Sequence, residues 1–447
     1  MARERIAIIG AGISGLASAW LLSPQYDVTV FEKNDYIGGH THTVDVPGDQ
    51  GPRGVDTGFM VFNHRNYPHL KALFAHLGIE SQPTDMSFSA SVGEGRLEYA
   101  GSDLNTLFAQ RGNLFKPRFL RMLRDIVRFN RTGKALLQHG CVPQVTLGGY
   151  LIQERYGPGF RDDYLLPMAA AIWSCPTHRM LDFPLESFLN FFSNHGLLDL
   201  ADRPQWHTVK GGSRQYVREM LKALPDDVHV RRRVVAVQRQ EAQIRVITDD
   251  RGEHRFDKVV FGCHADEVLG MLEDPTEAES RILQCFTYQP NRTLLHTDTR
   301  LMPRLKRVWS SWNYMARQRS ADTPANAVSV TYWMNRLQAL EESRDYLVSL
   351  NPLIEPREDT IIREISYHHP VFDQRAMEAQ KQLPDLQGAD RIFFCGAWAG
   401  YGFHEDGLRS AIQVAGRLGV SPPWSIPRET AGAEATQPSG VVGTEAS

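Results

Sequence analysis

Three glycines and one acid near the N-terminus have the types and spacing to hold a dinucleotide. Gly10, Gly12 and Gly15 stand in the string GAGISG, and Glu32 follows 22 residues after the first. In such a pattern the first glycine allows a tight turn, the second lets a pyrophosphate approach the backbone, and the third lets a helix pack on a strand. The acid accepts hydrogen bonds from a ribose diol, and its charge argues against a bound 2′-phosphate. This chemistry requires a buried strand before the glycines and a helix after them. Ile6 to Ile9 is a short β-branched run of that kind, Leu16, Ala19, Trp20 and Leu22 recur at helical spacing, and Val28 to Phe31 reads as the next strand. The helix N-terminus, with Ile13 and Ser14 in its first turn, is the seat for the phosphates.

A second strand-to-helix junction lies near the other end. Ile392 to Phe394 is an apolar run ended by Gly396 and Ala397, and Leu408, Ala411, Ile412, Ala415 and Leu418 mark a helix stopped by Gly419 and Pro422. Its N-terminus is expected at Asp406-Gly407, with N-capping as the simple role for Glu405 and Asp406. Between the two junctions, Gly38 and Gly39 can bring the backbone close to something flat or charged. His40 and His42 follow on alternate positions, but no third ligand stands at metal spacing, so no metal centre is expected. Tyr67 to Leu77 has helix spacing with Gly78 as its stop. Val328 to Asn335 alternates, so side chains such as Tyr332, with Trp312 from the WSSWNY string, either line a cavity or fill a core. His368-His369-Pro370 reads as a structural extended turn, since no acid or base partner is identifiable.

A chain of 447 residues exceeds what one core usually serves, so two domains are expected. Net charge −3 gives no reason to expect nucleic acid as a partner. Five scattered cysteines, Cys141, Cys175, Cys263, Cys285 and Cys395, form no CxxC pair and suggest reduced thiols in a cytosolic protein. The N-terminal MARER, apolar run and Ala17-Ser18-Ala19 imitate an export signal, but cleavage there would destroy the glycine turn. No apolar run is long enough to span a bilayer, so a soluble or peripheral protein is expected.

Residues 86 to 204 lose the strand-glycine-helix rhythm. Between Arg111 and Lys134 there are eight basic residues and one acid, Asp125, while Phe119, Leu120, Leu123, Ile126, Val127 and Asn130 recur at helical spacing after Pro117. Such a helix suits an anionic membrane surface or an ordinary solvated face. Trp173, Phe183, Phe188, Phe191 and Phe192 read as core in preference to a tunnel wall. Val228 to Val237 and Gln243 to Thr248 alternate like paired strands, and Lys258 to Phe261 reads as a buried strand. From Ser425 the tail is too polar to fold.

The glycine fingerprint, Glu32, Gly38-Gly39 and Asp56-Thr57-Gly58, in order and spacing, resemble the N-terminal half of the flavin amine oxidase and phytoene desaturase superfamily. The resemblance covers nearly all of residues 5 to 419 and is strongest at the two ends. It implies an α/β architecture: a doubly wound, Rossmann-like (GR2-type) FAD-binding domain of residues 1–85, 205–285 and 385–424, with a discontinuous α+β substrate domain of residues 86–204 and 286–384. It also implies that FAD is held by Gly10, Gly12, Ile13, Ser14, Gly15, Glu32 and Lys33, by Gly38, Gly39, His40, Thr57 and Gly58, and by Val234 against the adenine. At the far junction it implies Gly396, Ala397, Gly402, Phe403, His404, Gly407 and Leu408, with the helix dipole directed at the flavin pyrimidine. Many members carry arginine after the two glycines, where this chain has His40.

The chemistry so implied is hydride removal from a C–H bond, which needs no nucleophile from the protein. His404, Tyr332 and Trp312 are the candidate catalytic residues. A single fingerprint favours an oxidase or desaturase over a two-nucleotide reductase. The strings GGHTHTV, SWNY, YWMNRLQ, LNP, HHPVF and GYGFHEDGL resemble a bacterial subgroup of NAD/FAD-binding amine oxidoreductases associated with enzymes that modify phospholipid acyl chains. A lipid acyl-chain desaturase or oxidase is therefore the leading expectation, in the cytoplasm and peripheral on the inner membrane face through residues 111–134. A polyamine or amino acid oxidase is second. Rab GDP dissociation inhibitors, which resemble this fold, offer a non-enzymatic lipid-binding alternative.

Overall fold

The computed structural model describes residues 3–173, 177–199, 204–224, 228–316 and 329–426. Its N-terminal strand, Arg5–Ile9, lies inside a five-stranded parallel sheet whose order across the sheet is 228–229, 27–31, 5–9, 258–261 and 392–394. Alternate side chains of Arg5–Ile9 enter two different cores. Ile6 and Ile8 pack with the helices Ile13–Leu22 and His404–Arg417, through Leu16, Leu408 and Ala411. Ala7 and Ile9 pack on the other face with Val237, Phe256 and Ala265, from an antiparallel sheet (234–239, 244–248, 253–256) and the helix Ala265–Met271. Cover on both faces is what a parallel sheet requires, and it explains why these strands read as continuous apolar runs.

A second, seven-stranded mixed sheet runs in the order 361–371, 287–296, 347–350, 329–333, 312–316, 88–92 and 97–100. Helices Pro117–Gln138, Leu147–Gln153, Leu166–Trp173 and Leu185–Asn194 share one core with it, in which Phe119, Phe188 and Leu189 meet Ala90, Tyr99 and Tyr314. Trp173, Phe183, Phe188 and Phe192 are buried in this core as expected, while Phe191, also buried, lines a cavity.

Several elements differ from the sequence reading. The alternating run from Val228 splits: 228–229 joins the parallel sheet, and 234–239 starts the antiparallel one. Arg231 takes a left-handed φ of +53° between them, which turns the chain from one sheet to the other. In the helix Pro117–Gln138 the buried face is Phe119, Met122, Asp125, Phe129, Asn130 and Gly133, while Leu120 and Val127, one position further round, are 45% and 51% exposed. The far helix begins at His404, earlier than Asp406-Gly407. Asp406 accepts hydrogen bonds from the Tyr401 and Phe403 N–H groups (3.1 Å each), capping its own helix. Glu405 caps another: its carboxylate accepts from the His69 and Leu70 N–H groups (2.9 Å each) at the start of Pro68–Leu77. His368-His369-Pro370 is no turn but part of the long strand Ile361–Val371, where the proline is tolerated because that strand lies at the sheet edge. Among the described residues no helix is long and apolar enough to cross a membrane. Most of the polar tail lies outside the described residues.

Candidate active site

One continuous cavity of about 1680 Å³ runs between the two sheets' loops. Ordinary small-molecule pockets hold roughly 300–1,000 Å³, so this one has room for a dinucleotide together with a second molecule. The glycine turn forms one end. Gly10 has φ +98°, and a Cβ there would meet the Gly262 and Cys263 backbone at 3.1 Å. A Cβ on Gly15 would lie 1.8 Å from the Gly10 carbonyl, so this glycine lets helix and strand touch. Gly12 is different: a Cβ there would meet nothing within 4 Å, because the position faces the cavity.

Glu32 ends the second strand at the same wall. Its Oε2 accepts from the Ala11 N–H and its Oε1 from the Asn34 N–H, both at 2.8 Å, tying the glycine turn to the strand that follows. An ionised carboxylate has about four lone-pair sites, so roughly two remain for a ligand. Lys33, next along the wall, is paired with Glu267. Gly39, His40, Thr57, Gly58 and Val234 also line the cavity, as do Ile13, Ser14, Gly396, Ala397, Gly402, Phe403 and His404.

Four expected residues are not on the wall. Gly15 serves packing, and Gly38 bridges to Gly12 through backbone, its N–H donating to the Ala11 carbonyl at 2.9 Å. Leu408 is fully buried in the helix core. Gly407 is where the far helix crosses the first helix, since a Cβ there would lie 2.8 Å from Ile13 Cγ2 and Ser14 Oγ.

Sequence reasoning missed a group of imidazoles. His40, His264, His368 and His369 arrive from three distant segments and share the cavity wall, with ring centres of His40 5.1 Å from His369 and 6.4 Å from His264. Burial, with His368 adding to it, pushes His40 down to about 4, and burial with His40 pushes His264 down to about 3. Burial likewise drives His369 well below the usual range. These three are uncharged imidazoles at neutral pH. The buried Nε2 of His40 has no protein partner. Tyr367 stacks on His40 at 4.8 Å, and its hydroxyl shares hydrogen bonds with Thr57 Oγ1 (2.8 Å) and His42 Nδ1 (3.1 Å). Gly262-Cys263-His264 directly follows a buried strand, a sequence cue to a second loop at the same end of the sheet. Among the described residues no three His, Cys, Asp or Glu side chains are placed to hold a metal ion.

His404 stacks on Phe59 at 3.8 Å and shares a 2.9 Å hydrogen bond with Thr41 Oγ1; burial holds it down at about 3, uncharged. Further along, Met86, Phe88, Met168, Ile172 and Leu350 make an apolar wall. Trp312 and Tyr332 meet edge to face at 4.8 Å on the same wall, and the buried Trp312 Nε1 has no protein partner. The charged groups of this region, Asp85 and Arg336, bond each other, with Nε donating to Oδ2 at 2.7 Å.

Residues 13–343 match the family of flavin-containing amine oxidoreductases. The chain belongs to that family. That family is one of flavin-containing oxidoreductases. Within short segments this family member is similar to carotenoid enzymes. It is 49% identical over 53 residues to a 1-hydroxycarotenoid 3,4-desaturase of Flavobacterium sp. (strain P99-3), covering 11% of each chain. It is 35% identical over 102 residues to a 4,4′-diapophytoene desaturase of Staphylococcus aureus, covering 19% of this chain and 20% of the relative. The matches span a fifth or less of those curated relatives. Solved structures share the fold over nearly the whole length. A putrescine oxidase has TM-score 0.66 at 17% identity, over 93% of this chain and 98% of that one. A CLA-producing fatty acid isomerase from P. acnes has TM-score 0.67 at 14% identity, over 93% and 99%.

Proposed function

We propose that this flavoenzyme removes hydride from a C–H bond of an apolar substrate of the lipid acyl-chain type. The observation that carries the reading is the charge balance of the cavity beyond the glycine turn: an apolar and aromatic wall whose charged groups, Asp85 and Arg336, neutralise each other. A buried site for a cation needs a partner charge, and no unpaired carboxylate stands there among the described residues.

The opposite end fits FAD. Gly12 opens onto free space, Glu32 keeps lone pairs to spare, and the buried His40 Nε2, on the lining of the same cavity, is an unpartnered polar atom. We assign Gly10, Gly12, Ile13, Ser14, Glu32, Lys33, Gly39, His40, Thr57, Gly58 and Val234 to holding it, with Gly396, Ala397, Gly402, Phe403 and His404 closing the far side. The cofactor would be carried by residues 1–85, 205–285 and 385–424, and the substrate by 86–204 and 286–384. FAD supplies the hydride acceptor. The protein's part is to exclude water with Phe88, Trp312 and Tyr332, to fix the chain against them, and to keep His404 as an uncharged imidazole on Thr41. The fatty acid isomerase and the carotenoid desaturases act, by their names, on long hydrocarbon chains, which supports the same substrate class.

An amine substrate is the second reading, favoured by the Trp312–Tyr332 ring pair, since aromatic faces attract cations. Anaerobic mixing of the yellow protein with unsaturated phospholipid, free fatty acid or putrescine separates the two. Bleaching of the flavin band by an acyl substrate is expected. Bleaching by putrescine alone would replace the proposal with the amine reading.

A further inference from the structure

We propose that residues 104–131 form the face by which this protein lies on an anionic bilayer, and that the cavity opens beside that face to take its substrate. The surface argument stands on its own; its link to the substrate rests on the acyl-chain reading above.

Of the nine exposed large hydrophobic side chains among the described residues, five fall within residues 104–127: Leu104, Leu114, Phe115, Leu120 and Val127. Phe115 is 85% exposed and Leu104 75%, values that leave most of each side chain in water. A concentration of this kind marks an interaction surface, whereas scattered exposed leucines do not. The charges around it choose the partner. From 104 to 138 the chain carries eight cations and a single acid, Asp125, which is fully buried.

Not every arginine is free of protein partners. Arg118 is held by Asp163, with Nε donating to Oδ2 at 2.9 Å. Arg121 and Arg128 lie 3.7 and 3.5 Å from Asp125 and donate to the Arg155 and Glu154 carbonyls. The other exposed cations are Arg111, Lys116, Arg124 and Arg131, and among the described residues only Arg124 of these comes within 4 Å of an acid, the buried Asp125. Acids on the flanking elements include Asp103, engaged in capping the helix Leu104–Leu107, Asp162, paired with Arg161, Asp199, paired with Lys134, Glu154, and Glu186 on the helix Leu185–Asn194. The result is a stretch in which exposed apolar side chains alternate with exposed cations, which matches the boundary between headgroups and acyl chains in an anionic leaflet.

The cavity reaches the surface at the same place. Gly101 and Ser102 are exposed, line the cavity with Tyr99, Tyr164 and Met168, and lead directly into Leu104. The Tyr99 hydroxyl donates to the Asp163 carbonyl at 2.6 Å, and Asp163 also holds Arg118, so mouth and basic helix are locked together. An acyl chain leaving the bilayer at this face would enter the cavity without crossing water.

The test is sedimentation of the full-length holoprotein with vesicles of phosphatidylglycerol and phosphatidylcholine, or of phosphatidylcholine alone, at low and physiological salt. Binding to the anionic vesicles, weakened by salt, is expected. Each exposed cation is worth about fivefold in binding, so Arg124→Glu with Arg131→Glu should weaken it more than tenfold, and Phe115→Ser with Leu104→Ser should release the protein at physiological salt. Phe115→Trp should add tryptophan emission that brominated acyl chains quench. Wild-type protein left in the supernatant at low salt overturns the proposal, as does binding that both double variants retain. Flavin absorbance reports separately on the cofactor site: loss of flavin would speak against the proposed function, and failure to sediment against this surface.

Discussion

Replacing Glu32 by glutamine removes one acceptor from a place where two are in use. The carboxylate takes the Ala11 and Asn34 N–H groups, each at 2.8 Å. An amide oxygen can serve one of them, and the NH2 group then confronts the other donor to donor. A hydrogen bond to a charged group contributes about 1.5–3 kcal/mol, and leaving a buried N–H unmet costs about 1–3 kcal/mol. The two effects overlap, so a loss of about 2–4 kcal/mol is expected for the fold around the glycine turn. The same substitution removes the charged acceptor offered to a ribose diol, which should weaken FAD about ten- to a hundredfold. Thermal unfolding with and without added FAD measures the first quantity, and equilibrium dialysis against free flavin the second. Unchanged unfolding temperature and unchanged affinity together would refute the reasoning. A less stable protein that holds FAD as tightly as wild type would show that Glu32 acts only as a tie between turn and strand.

The two later glycines of the fingerprint should respond in opposite ways. Gly12→Val should keep the fold and lose the flavin, because its side chain enters open cavity, while Gly15→Ala should lower the unfolding temperature, because its Cβ meets the Gly10 carbonyl; absorbance and circular dichroism of both variants check this. Burial raises Glu405 from 4.5 to about 7. The folded state therefore binds that proton more tightly than the unfolded chain, and the associated stability, on the order of 3 kcal/mol, is lost as pH rises from about 4.5 to about 7. Unfolding temperatures of Glu405→Gln at pH 5 and pH 8 should differ less than those of wild type. Met168→Glu places an unpaired charge on the apolar wall and should abolish bleaching by acyl substrates while the flavin spectrum stays as in wild type; retained bleaching would place the substrate elsewhere.

What could be read in advance was local. The strand, turn, helix and acid of residues 5 to 32 lie within one contiguous stretch, so their pattern carries their geometry, and Pro117 and Gly78 mark helix ends by backbone preference alone. The cavity's other walls depend on pairings between segments far apart. His264 lies in the loop after one sheet strand and His368 and His369 lie in another strand, and nothing in the order of the chain announces that both segments meet His40. Pro370 suggested a turn, yet its strand has a free edge where a missing N–H goes unnoticed. Gly407 is expected beside the flavin only through the family resemblance, and the packing that makes a glycine necessary there, one helix crossing another, is not written in the local pattern. Leu120 and Val127 fit a helical period, and only the docking of that helix against Leu185–Asn194 decides that they face outward.

The strand order of the parallel sheet also governs when the protein can be finished. Arg5–Ile9 leaves the ribosome well before its neighbour on one side, Lys258–Phe261, and before Ile392–Phe394 beyond that. Until those segments have been synthesised, Ile6 and Ile8 lack the far helix that covers them, and the cavity lacks the wall from Gly396 to His404. Pairings across such distances close slowly and leave apolar edges open to other chains meanwhile. Nascent chains of this protein should therefore lean on chaperones, and the flavin should be taken up only after release. A product truncated before Ile392 would emerge colourless, however well its first strand and helix had formed.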